Sequence, residues 1–104
     1  MPSELSGVIA CLQEIELALL ELKGKTALEG QGALEEVSKA ARVFFARPSR
    51  EQAQNIEALI RGKTTSGKAP GAAAFWETVT VDGHPATLAG LGQELAEVLE
   101  DLLS

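Results

Sequence analysis

The clearest alternation of apolar and polar positions lies near the start of the chain, over residues 3–23. Apolar residues recur there at steps of three and four, which is the a/d spacing of a packed helix: Leu5, Val8, Leu12, Ile15, Leu19 and Leu22. Ser3 suits the N-cap of this helix, and Gly24 suits its end. The pattern therefore predicts a first helix of about twenty residues, roughly 30 Å long.

The last part of the chain repeats this pattern over residues 87–103. Its apolar residues again step by three and four: Leu88, Leu91, Leu95, Val98 and Leu102. Leu99 and Leu103 widen the stripe, and Thr87 suits the N-cap. Both terminal helices are acidic and rich in leucine, so we expect them to share a leucine seam, either within one chain or across a dimer.

The first helix is apolar on more than one side, because Ile9, Leu17 and Leu20 lie off its main stripe. Such a helix is either surrounded inside its own protein or packed on a second molecule. We predict a homodimer, with a seam built from residues of both terminal helices: Ile9, Leu17, Leu20, Leu95, Leu99 and Leu102.

Two further helices are predicted between the terminal ones. Helical spacing is clear over 33–46, although glycines weaken the preceding turn, and Pro48 ends the pattern. Ser49 and Gln52 form a capping box that opens a third helix, which we expect to end at Gly62. Its apolar face consists of Ala53, Ile56, Leu59 and Ile60.

Residues 62–74 are small and polar enough to predict one flexible loop. Beyond it, Val79 to Val81 favours a strand, and Asp82-Gly83 is a strong turn dipeptide. We predict either a short β-hairpin at about 78–88, with 78–81 facing 86–88, or a structured loop. The fold class is thus mostly α: a single domain over 1–104 resembling a small four-helix bundle, with this hairpin before the last helix.

The charge of the chain is −6, and its layout divides the sequence in three. Residues 1–22 and 69–104 contain no Lys or Arg, whereas residues 23–68 contain all nine. Acidic ends that complement a basic middle within one fold explain this layout most simply. The alternative function that it suggests is a nucleic-acid-associated subunit using the basic segment 39–68. The acidity of the whole chain weighs against that function, because most nucleic-acid binders are basic.

The tripeptide Gly-Lys-Thr occurs at 24–26 and at 62–64, and it resembles the end of a phosphate-binding P-loop. The first glycine of that motif is replaced by Leu19 in one case and by Glu57 in the other, both within predicted helices. We interpret both glycines as helix ends and expect no nucleotide or other cofactor.

Catalytic and metal-binding patterns are also weak. Cys11 and His84 are single residues without CxxC or HxxxH spacing, so we expect no metal site. A small enzyme using Cys11 or His84 is the third functional hypothesis. The acidic helix around Cys11 should raise the pKa of its thiol rather than activate it, and we expect no catalytic residue.

The function that the sequence favours is non-catalytic protein–protein interaction, in the manner of an inhibitor or immunity-type protein, a chaperone, an adaptor or an assembly subunit. Trp76 either anchors the hairpin or supplies an interface contact, since tryptophan dominates interface hot spots. The predicted partner-binding residues are Trp76, Phe75, Lys63, Lys68, Arg47 and Arg50. The partner is another protein of unknown identity.

The sequence contains no apolar run of about 18 residues, so no membrane segment is expected. The first twenty residues lack the basic start of a signal peptide, and the single cysteine cannot form an internal disulfide. We therefore predict a cytoplasmic location.

Overall fold

The computed structural model describes residues 5–25, 28–65 and 72–103. Within these ranges the chain forms helices α1 (Ser6–Lys23), α2 (Leu28–Ala46), α3 (Arg50–Thr65) and α4 (Leu88–Leu103). A short 3₁₀ helix (Ala72–Trp76) and an antiparallel hairpin of β1 (Val79–Val81) and β2 (His84–Ala86) precede α4. The predicted fold class, four helices with a hairpin before the last, is confirmed.

The inner face of α1 forms the centre of the core. It packs against α2, α4 and β1, and the residues of its predicted heptad stripe beyond Leu5 are all buried: Val8, Leu12, Ile15, Leu19 and Leu22. Spacing of three and four residues places these side chains on one side of a helix, so the sequence pattern translates directly into burial.

The other helices close the core around α1. α3 packs closely on α4, and the 3₁₀ helix contacts α2, α3 and α4. Phe44 of α2 is fully buried and meets the ring of Phe45 edge to face, with ring centres 5.4 Å apart. The radius of gyration of 13.0 Å matches the value of about 13 Å expected for one folded body of this length.

Two of the predicted helix caps are present. The Gln52 N–H donates to the Ser49 side-chain oxygen over 3.1 Å at the start of α3. The Gly90 N–H donates to the Thr87 hydroxyl over 3.0 Å at the start of α4. The predicted cap Ser3 lies outside the described residues, and Leu5, which precedes α1, makes no side-chain capping bond.

The prediction that Gly62 ends the third helix is wrong, because α3 continues to Thr65. An ion pair from Lys63 Nζ to Glu36 Oε2, over 3.1 Å, links this last turn to α2. The Thr65 hydroxyl also donates to the Arg61 carbonyl over 2.8 Å. Residues 62–65 are therefore helical rather than part of the predicted loop, and residues 66–71 lie outside the described ranges.

α2 begins earlier than the predicted 33, at Leu28. The Gln31 side chain donates to the Lys23 carbonyl over 3.2 Å, which ties the first turn of α2 to the end of α1. Such a tertiary contact compensates the low helix propensity of the glycines in this turn, which is why sequence propensity alone places the boundary too late.

The hairpin has a tighter register than predicted. Val79 pairs with Ala86, and Val81 pairs with His84 across the Asp82-Gly83 turn. Both turn residues have positive φ, 51° and 81°, as a two-residue primed turn requires. This turn begins the return strand at His84, and the pair next to it, Thr80 with Pro85, falls at a position without ladder hydrogen bonds. Proline therefore fits there without losing one.

Candidate functional site

Phe75 and Trp76 are neighbours in the 3₁₀ helix, but their side chains have opposite environments. Phe75 is fully buried in the core, whereas Trp76 keeps 60% of its surface exposed. Phe75 is thus the hydrophobic anchor of this segment and offers no surface to a partner, contrary to its prediction as a contact residue. Trp76 is the part of the pair that another molecule can reach.

Trp76 lies at the edge of a groove between α3 and α4 with a volume of about 390 Å³. α3 and α4 contribute residues along its length: Glu57, Ile60, Arg61, Thr64, Thr65, Ala89, Gly92, Gln93 and Ala96. Protein pockets that bind small groups have volumes of about 300–1,000 Å³. The volume of this groove lies near the lower end of that range, and we call it the Trp76 groove.

The floor of the Trp76 groove results from a close approach of α3 to α4. A Cβ atom at Gly92 would lie only 2.6 Å from Cγ2 of Ile60, so the helices can meet at this point only because glycine has no side chain. Ala89 and Ala96, about one turn to either side of Gly92, are also small. Small residues along α4 leave the space above Ile60 unfilled.

The polar groups that α3 contributes to the rim of the groove include an ion pair and two hydrogen bonds within that helix. Arg61 Nη1 lies 3.3 Å from Glu57 Oε1, and the hydroxyls of Thr64 and Thr65 donate to the Arg61 carbonyl over 3.2 and 2.8 Å. The groove thus combines an apolar floor and an exposed indole with a nearly neutral rim. These are the features of a surface that binds through shape and apolar contact.

The predicted dimer seam does not form one surface. Leu95 and Leu99 of α4 lie in the core of the chain, with 0% and 5% of their surfaces exposed. Leu17 and Leu20 of α1 are exposed by 41% and 64%. Ile9 and Leu102 are half-buried. Leu95 and Leu99 of α4 pack within the chain, and the exposed residues of the predicted seam, Leu17 and Leu20, lie on the outer side of α1.

Ion pairs engage several residues of the predicted basic surface. Lys63 pairs with Glu36, and both Arg42 and Lys23 pair with Glu35 over 3.1 and 3.3 Å. Hydrogen bonds hold the pKa of Glu35 below its usual value, and the bond from Arg42 contributes more than the bond from Lys23. These pairs offset part of the positive charge of the middle segment.

The remaining predicted basic contacts are spread apart. Arg47 is exposed after α2, and Arg50 is half-buried at the start of α3. Lys63, which is half-buried, lies in the last turn of α3, at the other end of that helix. Lys68 lies outside the described residues. The structure thus does not gather these residues around Trp76, although Lys63 directly precedes Thr64 of the groove.

Cys11 has the environment of a structural cysteine. It is buried between α1 and α4, and its thiol lies 3.6 Å from the Leu91 carbonyl, to which it donates. Burial raises the pKa of this thiol to about 12, with additional contributions from Glu94 and Glu14. At neutral pH the side chain is therefore a thiol rather than a nucleophilic thiolate. His84 is exposed on β2.

No group of three or more His, Cys, Asp or Glu side chains with a metal-binding arrangement occurs among the described residues. In the same part of the chain, no helix has the length and apolar character that crossing a bilayer demands.

The sequence singled out Trp76 but gave no direct indication of the groove beside it. The signal was the recurrence of small residues at helical spacing on α4, Ala89, Gly92 and Ala96, on a side away from its leucine stripe. Only the packing of α3 shows that these residues border a groove rather than solvent. No known protein family, curated protein or solved structure was found to match this chain.

Proposed function

We propose that this protein is a non-catalytic protein–protein interaction module that holds its partner in the Trp76 groove. The observation that carries the proposal is the large exposed fraction of Trp76 at the edge of an apolar groove. Exposed tryptophan is costly in water and is the side chain most enriched among residues that dominate interface energies. Inhibitor or immunity-type protein, chaperone, adaptor and assembly subunit are the roles open to such a module.

The anchoring of Trp76 supports this proposal. Phe75 and Ala74 are buried directly before it, so the backbone that carries the indole is held against α2, α3 and α4. A contact residue on a fixed backbone loses less conformational freedom on binding than one on a mobile loop. The groove floor, Ile60 and Gly92, lies at a close contact between α3 and α4.

The proposal is tested by capture of partners on immobilised protein from nuclease-treated extract of the native cell. We expect a stoichiometric protein partner that is lost with Trp76→Ala and with Ala96→Glu, which obstructs the groove from its other side. Val43→Gln is the matched control, because Val43 is exposed by 49% on α2 and does not line the groove.

Full recovery of the partner by both groove variants, each with the circular dichroism of the wild type, would contradict the proposal. A partner recovered from untreated extract but not from nuclease-treated extract would instead favour the nucleic-acid alternative, because its binding would depend on DNA or RNA.

Homodimerisation stays a separate prediction, and Leu17 and Leu20 of α1 are the most exposed residues of the predicted seam. Light scattering at high protein concentration measures it directly. A mass of two chains would support the homodimer, and a mass of one chain would refute it.

A further inference from the structure

The outward side of α1 carries a second heptad stripe, distinct from the buried one. Ala10, Gln13, Leu17, Leu20 and Gly24 follow one another at steps of three and four, and all five are exposed. None of them is charged. We call this set the outer stripe. Residues at this spacing face a single direction along a helix, so the outer stripe has the form of an a/d seam that no helix of the described residues covers.

The flanks of the outer stripe are acidic. With Leu17 at position a and Leu20 at position d, Glu14 and Glu21 occupy e positions and Glu16 occupies a g position. Asp82, in the hairpin turn, adds a further acidic residue beside Glu21, because it lines a surface depression together with Leu17, Leu20 and Glu21.

The one basic residue among the flanking positions of α1 is already engaged. Lys23 occupies the g position after Glu16, and its Nζ lies 3.3 Å from Glu35 Oε2 of α2. It therefore offsets the acidic flank only weakly.

This charge layout opposes the pairing of two copies of α1. A parallel pair sets g against e, which brings Glu16 of one copy next to Glu21 of the other. An antiparallel pair sets e against e, where Glu14 and Glu21 meet only glutamates, and g against g, where Glu16 meets a Lys23 that Glu35 already holds. Like charges at these positions destabilise a helix pair and determine which partner it accepts. The outer stripe is therefore better suited to a helix of opposite flanking charge than to a second copy.

We propose that the outer stripe of α1 binds an amphipathic α-helix of another protein, one with an apolar seam flanked by Lys or Arg. The stripe from Ala10 to Gly24 is about 21 Å long, which corresponds to a partner helix of about four turns. The apolar seam would cover Leu17 and Leu20, and the basic residues would pair with Glu14, Glu16 and Glu21. This surface is independent of the Trp76 groove, so the two proposals can fail separately.

A pair of synthetic helical peptides tests this proposal. Both carry leucine at a and d over about three heptads, a fluorescent label, and alanine and glutamine elsewhere. One has lysine at e and g, and the other has glutamate. Fluorescence anisotropy with the full chain, at peptide concentrations where each peptide is monomeric, should show about tenfold tighter binding of the lysine peptide, since exposed ion pairs contribute up to about 1 kcal/mol each.

Variants of the protein show which surface binds the peptide. The double variant Leu17→Gln, Leu20→Gln should bind the lysine peptide about tenfold or more weakly, because both substitutions remove apolar area from the seam. Glu16→Lys with Glu21→Lys should reverse the preference toward the glutamate peptide. Val43→Gln, a control at an exposed apolar residue of α2, and Trp76→Ala should bind as the wild type does. Circular dichroism confirms that each variant is folded.

Three results would overturn the proposal. Equal affinity for the two peptides would remove the role of the flanking charges. Unchanged binding of the lysine peptide by the Leu17→Gln, Leu20→Gln double variant would show general charge attraction. A dimeric wild type that becomes monomeric in this double variant would identify a second copy as the occupant.

Discussion

α1 and α4 have the same inward pattern but different outward faces. Both bury leucines at a/d spacing, with Leu12 and Leu19 of α1 and Leu88 and Leu95 of α4 all fully or almost fully buried. The outward face of α4 is charged and exposed, with Glu94, Glu97, Glu100 and Asp101. The outward face of α1 is the uncharged outer stripe. Heptad leucines therefore identify core helices, whereas the opposite face of each helix indicates whether that helix has a second contact to make.

The largest effect should come from exchanging a leucine between these two environments. Leu95→Ala removes a side chain with no exposed surface, so we expect the free energy of unfolding to fall by about 2–5 kcal/mol. Leu20→Ala changes a side chain that is 64% exposed and should cost at most about 0.5 kcal/mol. Urea denaturation measures both. Equal losses would mean that Leu20 is covered in the folded chain.

A smaller effect is expected at the contact between α3 and α4. Gly92→Ala introduces a Cβ atom 2.6 Å from Ile60 Cγ2, so it should reduce the free energy of unfolding by about 1–3 kcal/mol through overpacking. Gly62→Ala is the matched control, because a Cβ atom there meets nothing within 4 Å. This control should stabilise α3 by about 0.5–1 kcal/mol, as expected for an exposed helical position. A Gly92→Ala protein as stable as the wild type would contradict the close approach.

The start of α4 should be more firmly held than the start of α1. Thr87 caps α4, while Leu5 provides no side-chain cap for α1. Thr87→Ala should therefore lower the free energy of unfolding by about 1 kcal/mol. Thr87→Ser should retain most of the stability of the wild type, because serine keeps the capping hydroxyl. Thermal denaturation compares the two variants. If serine and alanine destabilise equally, the hydroxyl at position 87 has no capping role.

The last prediction concerns the pH dependence of stability at Cys11, which joins α1 to α4, and it applies only at alkaline pH. Its pKa rises from an ordinary 9.0 to about 12 in the folded chain. The unfolded thiol therefore loses its proton first, and this contribution to stability is complete below pH 9 and lost as the pH rises toward 12. The wild type should lose more stability than Cys11→Ala across this range. Parallel curves for the two proteins would indicate an accessible thiol.

Much of the fold could be predicted from the sequence, because apolar spacing and caps are local signals. The heptad stripes of α1 and α4, the Ser49 and Thr87 caps and the Asp82-Gly83 turn all belong to this class. The end of α3 could not be predicted, since the ion pair between Lys63 and Glu36 that links its last turn to α2 is not a local signal. That pair joins residues from two different helices.

The candidate site was harder to predict than the fold. The sequence indicated both Trp76 and Phe75 as contact residues. A sequence does not show which of two adjacent aromatic side chains points into the core. It predicted the α4 leucines as part of a dimer seam, because a leucine stripe does not show whether the residues that pack on it belong to the same chain or to a second one. The Trp76 groove depends on the packing of Gly92 against Ile60, which is a contact between distant positions.

The most direct test of the central proposal uses Trp76, the single tryptophan of the chain, as its own reporter. The protein is labelled with 5-fluorotryptophan, and its one fluorine resonance is recorded before and after addition of the captured partner. If the partner binds in the Trp76 groove, the resonance should shift and lose its sensitivity to exchange of H₂O for D₂O as the indole becomes buried. An unchanged resonance in a complex whose formation is confirmed by sedimentation would contradict the account.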